Sequence, residues 1–324
     1  MKQRIVIIGA LLLLLVVFGL ILKDLFFDKP ESNNNPYDYD LGSLKKGDSL
    51  LTLYQEDFHF TPVQEEIRGI AIDNEGRIAV TGNKSVELYD ATGKELGSFS
   101  VPQNAGCITT DETGNFYIGV EDHLEVYDRT GILKKKWNPA NEKSLITAIA
   151  VTTNSIYVAD AVMKVVYHYE KSGKMVCRIG EKDPENKIPG FVIPSPYFDL
   201  GLGRSGELWV VNPGRHTLSQ FTPEGKITST WGIASMAVDG FCGCCNPSHF
   251  AVLSDGSFVT SEKGLERIKI YGHDGTFLGM VATPDQFEEG TQGLDLAVDN
   301  SDRILVLDPV RKQIRFFTKK RLNP

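Results

Sequence analysis

A unit of about thirty residues recurs six times along this chain, and nothing else in the sequence narrows the fold as much. The first three copies are GIAIDNEGRIAVTGNKSVELYDATGKELGSF (Gly69 to Phe99), CITTDETGNFYIGVEDHLEVYDRTGILKKKW (Cys107 to Trp137) and AIAVTTNSIYVADAVMKVVYHYEKSGKMVCRIG (Ala148 to Gly180). The others begin at Asp199, His249 and Asp295. An aromatic followed four residues later by Gly sets the register: Tyr89/Gly93, Tyr127/Gly131, Tyr169/Gly173, Phe221/Gly225 and Tyr271/Gly275. Phe317 is the sixth aromatic, with Arg321 in place of the Gly, and the intervals are 38, 42, 52, 50 and 46 residues. Each unit has room for four strands of about five residues, rich in Val, Ile, Tyr and Phe and joined by tight turns. That length and strand content fit a propeller blade and exclude helical solenoids and leucine-rich repeats.

The sixth unit stops after its third strand, at Phe316-Phe317. The stretch LLTLYQEDFHF (Leu50 to Phe60) precedes the first unit and has strand composition. It is expected to supply the missing outer strand, so that the two ends of the chain close the ring and remove an open sheet edge. The fold class read from the sequence is therefore all-β: a six-bladed β-propeller of four-stranded antiparallel blades over residues 49–324.

Ahead of it, Ile5 to Leu22 is an uninterrupted apolar run of 18 residues, preceded by Lys2 and Arg4. That is near the lower limit for a spanning helix. The run ends in KDLFFDKPE without the small-x-small site of a cleaved signal. Residues 1–27 are read as a single N-terminal transmembrane helix, an uncleaved anchor, and the polar residues 28–48 as a flexible linker. A short basic leader places the N-terminus inside. The expected location is the cytoplasmic (inner) membrane, with the propeller outside the cytoplasm. The net charge of −8 offers no basic field for a phosphate backbone, so nucleic acid is excluded as a partner.

Segments such as YVADAVMKVVYHYEKSGK, LWVVNPGRHTLSQFTPEGK and ILVLDPVRKQIRFF resemble the NHL-type six-bladed propeller repeat, in which Val-x-Asp, a short turn and an aromatic-ended strand follow one another. The resemblance covers about Gly69 to Lys320. The Asn and Arg that usually follow the Asp are replaced by Met163 and Val165 in the third unit, and by Arg215 and Thr217 in the fourth. The resemblance implies the fold; it leaves the activity open, because this scaffold hosts lyases, lactonases, sensors and binding modules.

In a four-stranded antiparallel blade, the loops after the second and fourth strands share one face of the disc. The two long insertions, residues 181–198 and 233–248, fall there, and long loops on a rigid ring are usually functional. The same face carries the candidate ligand-binding residues Asp160, Asn212, Arg215, His216, Glu262, Lys263, Asp308 and Arg311. Within the second insertion, FCGCCNPSH places Cys242, Cys244 and Cys245 just before His249. Thiolates with an imidazole suit Zn, Cu or an Fe–S centre, although C-x-C-C is tighter than common zinc spacings. A Cys244–Cys245 or Cys242–Cys245 disulfide, structural or redox, and reduced packing thiols are the alternatives. Glu262 and Lys263 read either as a loop ion pair or as ligand contacts at the channel mouth. Cys107 and Cys177 lie in strand patterns and read as buried small residues. No G-x-S-x-G, H-E-x-x-H or phosphate-cradling Gly loop is present. Two functions remain. One is a membrane-tethered module that binds a protein or small-molecule ligand, in a redox or metal-handling assembly if the Cys loop takes part. The other is a metal-dependent propeller enzyme of the lyase/lactonase type with its site at the channel mouth.

Overall fold

The computed structural model describes residues 13–19, 51–137, 141–185 and 188–321. Residues 13–19 are helical. The rest of the expected anchor and the whole expected linker lie outside the described residues. Among the described residues no helix is long and apolar enough to cross a membrane.

From residue 51 onward the described residues form twenty-four strands in six four-stranded antiparallel sheets. Five blades are built from consecutive strands. The sixth takes its outer strand from the start of the domain: Tyr54–Phe60 pairs antiparallel with Gln313–Lys319. The expected closure is thus observed, and three kinds of contact hold it. Phe58 and Phe60 lie against Phe316, the buried Arg315 guanidinium grips Glu56 at 2.5 Å, and Leu53 bonds through its backbone to Met280 and Lys320. The seam therefore ties the first strand to blades five and six together.

The innermost strands are Ile67–Ile72, Ala105–Thr110, Ile146–Val151, Leu200–Leu202, His249–Val252 and Asp295–Val298, each packed beside the next around a central channel. The second strands are almost wholly buried, as their Val/Ile-rich runs require of strands covered on both faces.

The aromatic-x₃-Gly register has a physical cause. Third-strand aromatics pack on an aromatic from the outer strand one blade back: Phe60 on Tyr89, Phe99 on Tyr127, Trp137 on Tyr169 and Trp231 on Tyr271. At Gly93 and Gly275 the backbone is left-handed, with φ of 80° and 85°. A Cβ there would lie 2.7 Å from Phe60 or 2.6 Å from Trp231. Glycine answers both the turn and the close approach of the neighbouring blade.

Candidate functional site

The channel is built unequally. At one inner-strand position, Gly69 pairs with Thr81, Cys107 with Gly119 and Ala148 with Ala159, so blades one to three contribute no charge there. The matching residues of blades four to six are Asp199, whose carbonyl accepts from Val211 N–H, His249, which pairs with Ser261, and Asp295, which pairs with Leu307. His249 Nδ1 lies 3.8 Å from Asp199 and 3.5 Å from Asp295. All three line a cavity of about 290 Å³.

Each carboxylate also joins two blades. Asp199 accepts from Leu200 N–H and from Phe250 N–H of blade five. Asp295 accepts from Leu296 N–H and from Ile70 N–H of blade one. Burial pushes Asp199 up to about 7, with His249 pulling it down and Asp295 pushing it further up. Burial raises Asp295 as well, against the pull of His249. An imidazole between two such carboxyls can take or release a proton inside the channel.

Above this triad the two long loops meet. Asn246 donates to the carbonyls of Cys242 (2.7 Å) and Lys263 (2.9 Å) and accepts from Lys263 N–H, clamping the Cys loop to the loop after the second strand of blade five. Lys263 Nζ then crosses to the first insertion, donating to Ser195 Oγ at 3.1 Å and lying 4.8 Å over the Tyr197 ring. Tyr197 stands edge-on to His249, with its hydroxyl toward Gln292. One lysine thus connects both insertions to the channel histidine.

The three loop cysteines have three different surroundings. Cys242 is buried, with Sγ 3.5 Å from Glu262 and 3.6 Å from Arg267. Glu262 also pairs with Arg267 at 2.8 Å and Lys269 at 2.5 Å, and Lys269 Nζ donates to the carbonyls of Val238 and Gly240. Burial and the Glu262 charge push the Cys242 thiol up to about 11, while burial pulls Lys269 down to about 8. Cys244 is exposed and Cys245 buried, with their sulfurs 2.9 Å apart and unbridged. Burial tends to raise Cys245, but hydrogen bonds with Cys244 and Ser195 and the Lys263 ammonium outweigh it and lower the thiol below its ordinary value. The hydrogen bond to Cys245 raises Cys244.

Of the residues singled out from the sequence, Cys242 and Glu262 come together, as do Cys245 and Lys263. His249 joins them through Tyr197. Glu262 and Lys263 do not form the loop ion pair weighed above: Glu262 turns inward to Arg267 and Lys269, and Lys263 turns outward to Ser195. Asp160, Asn212 and Asp308 are buried residues at the ends of second strands. Asp160 accepts from the N–H groups of Leu145, Val162 and Met163, Asn212 from Val192, and Asp308 from Arg311. Arg215 is exposed, His216 is the left-handed turn residue (φ 59°) just before the strand Thr217–Phe221, and Arg311 pairs with Glu288. Cys107 is buried as expected, and Cys177 is half-buried beside His168. Among the described residues, no three His, Cys, Asp or Glu side chains are grouped to hold a metal ion. Sequence reasoning missed Asp199, Asp295 and Tyr197. The first two had a signal, since DLGL, HFAV and DLAV start three successive inner strands in one register.

No family model matches the chain, and no curated protein matches it in sequence. Solved structures do resemble it in fold. A streptogramin B lyase superposes with a TM-score of 0.57 at 13% identity, covering 82% of this chain and 98% of the lyase. Virginiamycin B lyase from Staphylococcus aureus gives 0.57 at 14%, covering 82% and 100%. The WD40 propeller domain of Doa1 gives 0.54 at 11%, covering 79% of each chain. At such identities the likeness establishes the propeller fold alone.

Proposed function

We propose that this chain is a membrane-tethered, extracytoplasmic binding module that takes a protein or small-molecule ligand on the long-loop face, over blades four to six. The observation that carries the reading is the junction at Lys263, whose backbone is held by Asn246 of one insertion and whose ammonium reaches Ser195 and Tyr197 of the other, beside His249. An aromatic ring, an ammonium and a half-buried imidazole at the mouth of a rigid ring supply the mixed apolar and polar contacts that ligand sites use. The opposite face offers short turns such as DETG and HDG.

A photo-crosslinking residue at Tyr197, compared with one at the exposed Glu112 or Asp274 turns of the other face, tests the reading in intact membranes. Discrete adducts from Tyr197 alone are expected, and equal labelling from both faces contradicts it. For the tether, a reporter fused after Pro324 is expected to be active outside the cytoplasm and to resist alkaline extraction. Release of a soluble form would contradict the anchor.

The channel triad favours a second reading, a lyase-type enzyme in which His249 moves a proton between Asp199 and Asp295. The lyases of the same fold make virginiamycin B the first compound to try. Chromatographic conversion that is lost in His249→Ala would establish this reading. An unchanged compound would remove virginiamycin B as its substrate.

A further inference from the structure

The loop that holds Cys242, Cys244 and Cys245 gives each sulfur a separate chemical situation, and together these describe a reaction. Cys244 Sγ is open to solvent and touches Cys245 Sγ at 2.9 Å. Bond formation needs the two sulfurs to approach by about a further 0.9 Å. Cys245 is enclosed on the protein side, within reach of Ser195 and the Lys263 ammonium. That ammonium is held by Ser195 Oγ and the Tyr197 ring, and Asn246 ties the Lys263 backbone to Cys242 of its own loop. Cys242 takes no part: it faces the Glu262 carboxylate, which opposes thiolate formation.

We propose that Cys244 and Cys245 are a two-electron thiol–disulfide couple that exchanges with external disulfides through Cys244, with Cys245 as the resolving and departing sulfur. In the oxidising direction Cys244 loses its proton and attacks one sulfur of an external disulfide. The external S–S bond breaks, one thiolate leaves, and a mixed disulfide forms on Cys244. The Cys245 thiolate then attacks Cys244 Sγ, forming the vicinal disulfide and expelling the second external thiolate. Two electrons pass from the protein to the external disulfide, and the two protein protons end on the released thiolates. In the reverse direction an external thiolate attacks the exposed Cys244 sulfur and Cys245 departs as a thiolate. A sulfur stabilised as the anion is the better leaving group, and Lys263 and Ser195 provide that stabilisation. This inference rests on the local geometry of the loop and not on the binding reading, so either can fail alone.

The test uses the full chain in detergent, equilibrated with reduced and oxidised glutathione at a series of ratios, then alkylated and mapped by mass spectrometry. Wild type is expected to lose two of its five alkylatable thiols together as the buffer becomes oxidising, with the link mapping to Cys244–Cys245. Cys245→Ser should stop at a glutathione adduct on Cys244, since nothing remains to resolve it. Cys244→Ser should form no adduct at Cys245, which solvent does not reach. Lys263→Met should still form the couple but be reduced by glutathione about threefold more slowly. Thermal melts of the variants confirm that each is folded before its chemistry is read. Five thiols that persist at every ratio, a link through Cys242, or an adduct on Cys245 in Cys244→Ser would each overturn the proposal.

Discussion

At the ring position where blades one to three carry Gly69, Cys107 and Ala148, blades four to six carry Asp199, His249 and Asp295. In blades one to three that position follows a β-bulge in a six-residue inner strand. The inner strands of blades four to six have three or four residues and no bulge, and there the Asp199 and Asp295 carboxylates bond to the backbone of the next blade. The two halves differ again at their loops. Blades one and two join through short turns, whereas blades four and five present the insertions that meet at Lys263. Polar residues gathered on one side of an otherwise repeated ring are what a site requires, and here Asp199 and Asp295 serve the scaffold as well by joining neighbouring blades.

The largest expected difference between the halves is electrostatic. Glu262→Gln leaves Arg267 and Lys269 buried without their counter-charge and should cost about 3 to 5 kcal/mol. The exposed Glu121, on the corresponding loop of blade two, should change stability by no more than about 0.5 kcal/mol when made Gln. Chemical denaturation of both variants checks this, and similar costs would break the contrast.

Turn glycines sharpen it from the other side, since they belong to the shared scaffold. Gly93→Ala in blade one and Gly275→Ala in blade five each force a side chain into a left-handed position against an aromatic ring. Each should lose about 2 to 3 kcal/mol, equally in the two halves. A large inequality, read from thermal melts, would mean that the halves differ in scaffold as well as in site.

The channel should give the halves different pH profiles. Asp199, raised to about 7, holds its proton in the folded chain at pH values where the unfolded chain has lost it. Its contribution to stability therefore falls as pH rises from the ordinary carboxylate range to about 7, and Asp295 acts with the same sign. Between pH 5 and 7 the loss from Asp199 is about 2 kcal/mol. Denaturation of Asp199→Asn at those two pH values should show a flatter dependence than wild type. Cys107→Ala should keep the wild-type slope, because burial holds that thiol far above this range.

The repeat was legible because a turn glycine beneath a neighbouring aromatic must recur in most blades. The closing strand was legible because blade six was one strand short. The attachment of the Cys loop to blade five, beside the loop that carries Glu262 and Lys263, followed from strand order alone. The direction of Glu262 and Lys263 did not. Adjacent in sequence, they part because Arg267 and Lys269, from the same blade, draw the carboxylate inward, while Ser195, nearly seventy residues away, takes the ammonium. Asp160, Asn212 and Asp308 read as binding residues, and the structure gives their side chains local backbone partners: Asp160 and Asp308 bond within their own loops, and Asn212 bonds to Val192 of the first insertion. A polar residue at a strand end satisfies backbone donors as readily as a ligand, and sequence does not distinguish the two.

The claim that one sector of one face carries the function is tested most directly by a crosslinker moved around the ring. Six exposed positions on the long-loop face serve: Asn83, Gln103 and Val162 in the first half, then Arg215, Ala237 and Val310 in the second. In intact membranes the account predicts adduct yields concentrated at Arg215, Ala237 and Val310, with the other three near background. Even yields around the ring, or a maximum over blades one to three, would contradict it.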